Sequence, residues 1–192
     1  MTILNDKQIE ALDSDPFPMI ESFEPQQVRE HNGTPVISYG MSSYGYDARL
    51  ADEFMAIVKH STHSVIDPKH SAPSFAADPT RRPDGSYLVP PNEMVLARTF
   101  EHFRIPDDVF VICLGKSTYA RCGLIVNVTP LEPGWRGYVT LELSNTTSQP
   151  IVVYPNEGIA QFVFFRGERP AVSYGDRKGK YMKQTGVTLA RV

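Results

Sequence analysis

A lysine, a serine and an arginine (Lys116, Ser117 and Arg121) share one turn of chain in GKSTYARCG, and a strand-like run carrying a single carboxylate, Glu142, follows soon after. Cations beside a hydroxyl suit a phosphorylated ligand. A carboxylate on the polar face of a strand suits proton transfer, and a hydroxyl held near such a base can place an attacking water. These residue types point to hydrolytic chemistry on an anionic small molecule, with no obvious metal site.

Each candidate also has a plainer reading. Residues 115–121 equally fit a solvated turn entering a short helix capped by Ser117, with Gly115 allowing an unusual backbone. The GKS is not a P-loop, because the GxxxxGK spacing is missing. Glu142 is equally consistent with an ordinary surface carboxylate. Glu132, in LEPG, reads as a turn residue, and Trp135 as core packing. Zinc deaminases of bases carry H-x-E and P-C-x-x-C. None of His31, His60, His63, His70 and His102 begins H-x-E, and Cys113 and Cys122 do not form C-x-x-C. His60 and His63 are spaced like ligands but lack a second cluster, so they read as solvated loop histidines. Both cysteines are expected to be reduced and partly buried.

The elements that must position these groups are mostly strands. In residues 138–144, period two puts Tyr138, Thr140, Glu142 and Ser144 on one face and Val139, Leu141 and Leu143 on the other. The same period aligns Gln161 with Ile159, Val163 and Phe165, where a buried amide needs a ligand or backbone partner. Further strands are expected over 54–58, 93–100, 109–114 and 123–128, punctuated by Pro and Gly, which argues for an all-β sandwich or barrel. A helix should start at Asn5, where Asn5 and Gln8 form a capping box and Leu4 and Ile9 a staple, and should end at Asp15-Pro16. A second short helix is expected over 24–30, ended by NGTP. Residues 70–87 read as a long surface loop. The tail, residues 174–186, interleaves cations with tyrosines, which fits a flap over an anionic ligand as well as a frayed terminus.

The 192 residues, 41% hydrophobic, fit a single domain spanning 1–192. A net charge of -3 argues against a duplex nucleic-acid surface. No apolar run reaches membrane-spanning length and no leader pattern opens the chain, so a soluble cytoplasmic protein is expected.

Several separated motifs resemble the dCTP deaminase family: VISYGMSSYGYDARLADEF, GKSTYARCGLIVNVTPLEPGW, GYVTLELSNTT, NEGIAQ, SYGDRKGKY and QTGVTL. The likeness runs from about Ser38 to the C-terminus, interrupted around residues 70–87. It implies a mainly β subunit, a distorted jelly-roll or β-barrel of the dUTPase-like type with short N-terminal helices. It also implies a homotrimer with active sites shared between subunits, a Mg2+-bound triphosphate and no catalytic zinc. The implied reaction is dCTP plus water giving dUTP plus ammonia, feeding thymidylate synthesis, with dTTP as an inhibitor at the same site.

By motif position, the resemblance makes Glu142 the proton donor and acceptor. Ser117 places the water, and Arg121 orients water and glutamate. The turn from Lys116 through Ser117, Thr118, Tyr119, Ala120 and Arg121 binds phosphate. Thr140 and Leu141 flank the base through main-chain contacts, and Gln161 touches the nucleotide. Tyr174, Lys180 and Gln184 belong to the closing tail. Asp47 and Arg49 are read as shaping the trimer interface. Lys116 departs from a common arginine, and Met182-Lys183 from a common Gln-Gly. Two alternatives stand beside this reading. One is a bifunctional enzyme that also cleaves dUTP to dUMP and pyrophosphate, because Glu132 lies near the place of the water-activating aspartate of dUTPases. The other is a noncatalytic trimeric β module, which would be expected to lose Ser117, Arg121 or Glu142.

Overall fold

The computed structural model describes residues 1–14, 16–57, 66–69, 75–77 and 81–191. His60, His63 and His70 lie outside the described residues. The chain opens with β1 (Thr2–Ile3) and helix α1 (Asp6–Asp13). Asn5 and Gln8 form the expected reciprocal capping box, and Leu4 and Ile9 are fully buried. The staple therefore pins the helix to the sheet as well as fixing its entry. Ser14 caps the other end, so the helix stops just short of Asp15-Pro16.

Then follow β2 (Ile20–Glu21), β3 (Val28–His31), β4 (Thr34–Ser42), β5 (Gly45–Ile57), β6 (Phe75–Ala77) and β7 (Tyr87–Val89). Next come β8 (Met94–Arg104), β9 (Val109–Gly115), the single-turn α2 (Ser117–Ala120) and β10 (Leu124–Asn127). The last strands are β11 (Arg136–Asn145), β12 (Ile151–Val153) and β13 (Gly158–Arg166). Every pairing between these named strands is antiparallel. The main sheet runs β1-β13-β5-β8-β11-β10, with β9 also on β13, and it curls into a half-barrel. β7 and β12 form a separate ribbon. Among the described residues no helix is long and apolar enough to cross a membrane.

Two expectations need correction. Residues 28–31 are a strand, not part of a helix: Asn32 and Gly33 take φ of 50° and 77°, and His31 pairs with Thr34. Two consecutive positive-φ residues make the tight hairpin turn that Asn-Gly favours, so the NG dipeptide was a hairpin signal rather than a helix stop. The 70–87 segment is not simply a surface loop. Its Phe75–Ala77 portion pairs with β5, and Ser86 and Tyr87 are buried, with the Tyr87 ring stacked on Phe54 at 3.9 Å.

The core lies within the curl. Tyr46, Phe103, Phe162 and Phe164 are fully buried, with Phe103 and Phe162 stacked at 4.7 Å. Burying an aromatic of this kind contributes roughly 2–3 kcal/mol. β5 serves both halves of the sheet: Tyr46 to Arg49 pair with β13, and after a register shift Phe54 to Ala56 pair with β8. At this bend Glu101 is completely buried, holding the Arg49 guanidinium at 2.7 Å and the Arg49 amide at 2.9 Å. A buried carboxylate needs such multiple partners.

Candidate active site

β11 is the strand on which a site can be built. Its burial alternates as its sequence alternates: Val139, Leu141 and Leu143 are buried, whereas Tyr138, Thr140, Glu142 and Ser144 are half-exposed on the other face. Beneath that second face lies a cleft of about 670 Å³. Thr140 and Glu142 contribute its polar floor, Met94 and Leu96 of β8 one side, and the segment 128–133 with Trp135 the other. Tyr174, Tyr181, Gln184 and Thr188 of the C-terminal segment cover it. A mostly apolar slot with a few convergent polar groups suits a flat ring with polar edges.

Glu142 sits between Asn127 on β10 and Leu96 on β8. Its carboxylate accepts a long hydrogen bond from Asn127 Nδ2 at 3.5 Å. Burial against this apolar wall lifts its carboxyl from the usual 4.5 to about 7, only partly offset by backbone hydrogen bonding. Desolvation disfavours the charged form, and among the described residues no cation is paired with it to reverse the effect. The group can therefore both take up and release a proton near neutrality. Cys113 lies close enough to Glu142 for that charge to add to burial in pushing its thiol up. Both cysteines are free, Cys113 buried and Cys122 exposed.

The C-terminal segment returns along β11 like an extra strand. Lys183 N–H donates to Arg136 O (2.7 Å) and Tyr138 N–H to Gln184 O (3.0 Å). Thr140 Oγ1 donates to Gln184 Oε1 (2.9 Å) and accepts from Thr188 N–H (3.0 Å). Gly137 makes this approach possible: at φ +147° a Cβ there would stand 2.7 Å from Gln184 N. Tyr174 Oη accepts from Tyr181 N–H (3.1 Å), and a Cβ on Gly179 would enter the Tyr174 ring. Thus Tyr174 and Gln184 line the cleft. Lys180 does not line it; its ammonium donates to Arg191 O (2.6 Å).

The turn at 116–121 lies elsewhere on the chain. Ser117, Thr118, Ala120 and Arg121 are exposed, and none of the turn lines the cleft. Ser117 and Arg121 make no side-chain hydrogen bond or ion pair among the described residues. Lys116, not Ser117, occupies the cap position of α2, and no side chain caps it. Lys116 Nζ is instead ion-paired with Asp47 (2.6 Å), which also accepts from Gln27 Nε2 (3.0 Å). Gly115 uses no left-handed backbone, and a Cβ there would meet Val126 only at ordinary contact distance. Tyr119 is buried, its hydroxyl accepting from Tyr154 N–H (3.3 Å), so it anchors the turn from below.

Four other residues singled out in the sequence are placed in different ways. Leu141 points into the core, leaving only its main chain toward the site's strand face. Gln161 is half-buried and reaches Ser42 Oγ at 3.5 Å, away from the cleft. Glu132 lines the cleft, but its carboxylate is engaged by Arg177 (2.6 Å). Trp135 is both core and cleft wall. Among the described residues no group of three or more His, Cys, Asp and Glu could hold a metal ion. The residues that sequence reasoning missed are Glu53 and Arg98, which contact the tail and its supporting strand. Only register across three strands brings them together.

The profile of the family described as dCTP deaminase-like matches residues 3–167. The chain is 55% identical over 194 residues to a dCTP deaminase of Acidovorax sp. (strain JS42), covering 100% of both chains. It is 52% identical over 192 residues to a dCTP deaminase of Neisseria gonorrhoeae (strain ATCC 700825 / FA 1090), again covering 100% of both. Its fold is similar to the crystal structure of 2'-deoxycytidine 5'-triphosphate deaminase from Agrobacterium tumefaciens, with a TM-score of 0.56 and 18% identity. That match covers 86% of this chain and 48% of the other.

Proposed function

The chain belongs to the dCTP deaminase-like family, and on that premise we propose how its residues carry out the reaction. It is an enzyme that hydrolyses dCTP to dUTP and ammonia. We assign the proton transfers to Glu142. Its carboxylate takes a proton from water as the water oxygen adds to C4 of the cytosine ring. That proton passes to N3, which lets the ring accept the electron pair. Glu142 then takes the remaining proton from the C4 hydroxyl and delivers it to the amino group, so that the C4–N4 bond breaks, ammonia leaves and the C4 carbonyl of uracil forms. The observation that carries this assignment is a carboxyl poised near 7 on the floor of an apolar cleft.

Ser117 would place the water and Arg121 would orient it and stabilise the ionised glutamate. Their exposure and lack of partners, away from their own chain's cleft, favour a homotrimer in which one subunit's turn completes a neighbour's cleft. Lys116, Thr118, Tyr119 and Ala120 would form the phosphate-binding turn, Tyr119 as its buried anchor. Thr140 and Leu141 would frame the base through their main chain, and Gln161 would contact the nucleotide at the subunit boundary. Tyr174, Lys180 and Gln184 would close over it. The substrate would enter as Mg–dCTP, the ion riding on the triphosphate, and proton transfer through Glu142 needs no zinc. dTTP would compete for the same cleft, whose apolar wall suits a ring methyl.

Mixing subunits tests this arrangement. Arg121→Ala and Glu142→Gln proteins, each inactive alone, are unfolded together, refolded and assayed for ammonia and dUTP from Mg–dCTP. Shared sites should restore about one quarter of wild-type activity in a random 1:1 mixture, because half of the turns and half of the clefts are intact. Restoration of none would refute sharing. Accumulation of dUMP and pyrophosphate in place of dUTP would support the bifunctional reading.

A further inference from the structure

Behind the tail, outside the cleft, a carboxylate joins three strands to the C-terminal segment. Glu53 stands at the register shift where β5 crosses from β13 to β8. Its Oε2 accepts from Arg98 Nε at 2.5 Å. Its Oε1 accepts from the backbone N–H of Val187 at 2.8 Å. Arg98 lies directly opposite Thr140 across β8 and β11, and its guanidinium packs on the Tyr138 ring at 4.4 Å. Thr140 in turn bonds Gln184 and Thr188, on either side of Val187 in the chain. Gly186 permits the approach: a Cβ there would be 2.8 Å from Glu53 Oε1.

We propose that Glu53, held by Arg98, is a positioning residue that seats residues 184–188 over the cleft and thereby sets the enzyme's affinity for dCTP. The proposal rests on the cleft being the dCTP site. Neither side chain lines the cleft, so their effect passes through the tail. Three features make Glu53 suited to this. A carboxylate can accept from a guanidinium and an amide at once, one on each oxygen. Its hydrogen bond to Val187 is charge-assisted and hence stronger than a neutral one. And Arg98 fixes its rotamer, so the acceptor waits in place. A tail that must order itself on binding lowers affinity; a preformed anchor removes part of that cost. Because the tail contacts substrate and transition state alike, the expected signature is in KM rather than kcat.

The test compares Glu53→Ala and Glu53→Gln with the wild-type oligomer by amide hydrogen exchange without nucleotide, and by dCTP kinetics. In Glu53→Ala the Val187 and Thr188 amides should exchange about 10–100-fold faster while core amides of β11 and β13 stay unchanged. Its KM for dCTP should rise about 5–20-fold with kcat within about twofold. Glu53→Gln keeps an acceptor for Val187 and should recover much of both. Unchanged tail exchange, exchange rising equally in tail and core, or faster exchange with unaltered KM would each overturn the proposal. Absence of any dCTP turnover in the wild type would sink the underlying functional reading, and the exchange comparison would still decide whether Glu53 anchors the tail.

Discussion

Replacing Glu142 by glutamine should make the fold more tolerant of alkaline pH. Burial raises this carboxyl from 4.5 to about 7, so the neutral form is favoured in the folded state. The stabilising difference is complete below about pH 4.5, where the group is neutral in both states. It is lost as pH rises toward and through 7, where the unfolded chain ionises freely and the folded one does so at a cost. A gap of about 2.5 pH units at 1.36 kcal/mol each sets an upper bound of about 3.4 kcal/mol. Glu142 is half-exposed, and solvent screening reduces the expected value to roughly 1–2 kcal/mol. Urea unfolding of both proteins from pH 4.5 to 8.5, at one protomer concentration, isolates the effect as a difference, because every other titrating group is common to both. The glutamine variant should gain about 1–2 kcal/mol on its Glu142 counterpart across the window. A difference that stays flat with pH, or moves the other way, would refute the claim that desolvation dominates at this site. Because a neighbour's Arg121 would oppose this effect in the proposed assembly, both proteins in the comparison carry Arg121→Ala, so that burial alone acts on the carboxyl.

Three further outcomes are expected. Arg121→Ala should lower kcat about 100–1000-fold without unfolding the subunit, since the side chain is exposed and unpartnered; steady-state ammonia release and circular dichroism check both halves. Gly179→Ala places a methyl in the Tyr174 ring and should raise the KM for dCTP several-fold, with little change in the melting of the sheet. Glu101→Ala strips Arg49 of its buried partner and should cost about 3–5 kcal/mol in denaturant unfolding, with Glu101→Gln costing less.

Much of this architecture could be read from the sequence because its strands obey period two. Residues 138–144 put Glu142 on the polar face from the pattern alone, and the structure keeps that face. The Asn5–Gln8 capping box and the Leu4–Ile9 staple were legible for the same reason: both are local rules acting within one turn. The misreadings were competitions between local signals. At 24–33 a charged run resembling a helix lost to an Asn-Gly turn that closes a hairpin. Around 70–87, polarity concealed the burial of Tyr87, which depends on a ring of β5 far away in sequence.

The candidate site could be proposed from residue types, but its distances could not be read from the sequence. Ser117 and Arg121 lie on a turn that does not face its own chain's cleft, a separation that no periodicity reports. Lys116 illustrates the limit, since its partner Asp47 comes from a strand nearly seventy positions earlier. Glu53 and Arg98 escaped notice because each is an ordinary charged strand residue until β5, β8, β11 and the tail are assembled.

The role of Glu142 itself is tested most directly by mixing Mg–dCTP with an excess of Glu142→Gln enzyme and following ammonia in a single turnover. Glutamine keeps the shape of the side chain but cannot carry the proton. The rate should fall at least about 1000-fold while dCTP affinity stays within about threefold. A rate within tenfold of wild type would remove this carboxylate from the chemistry.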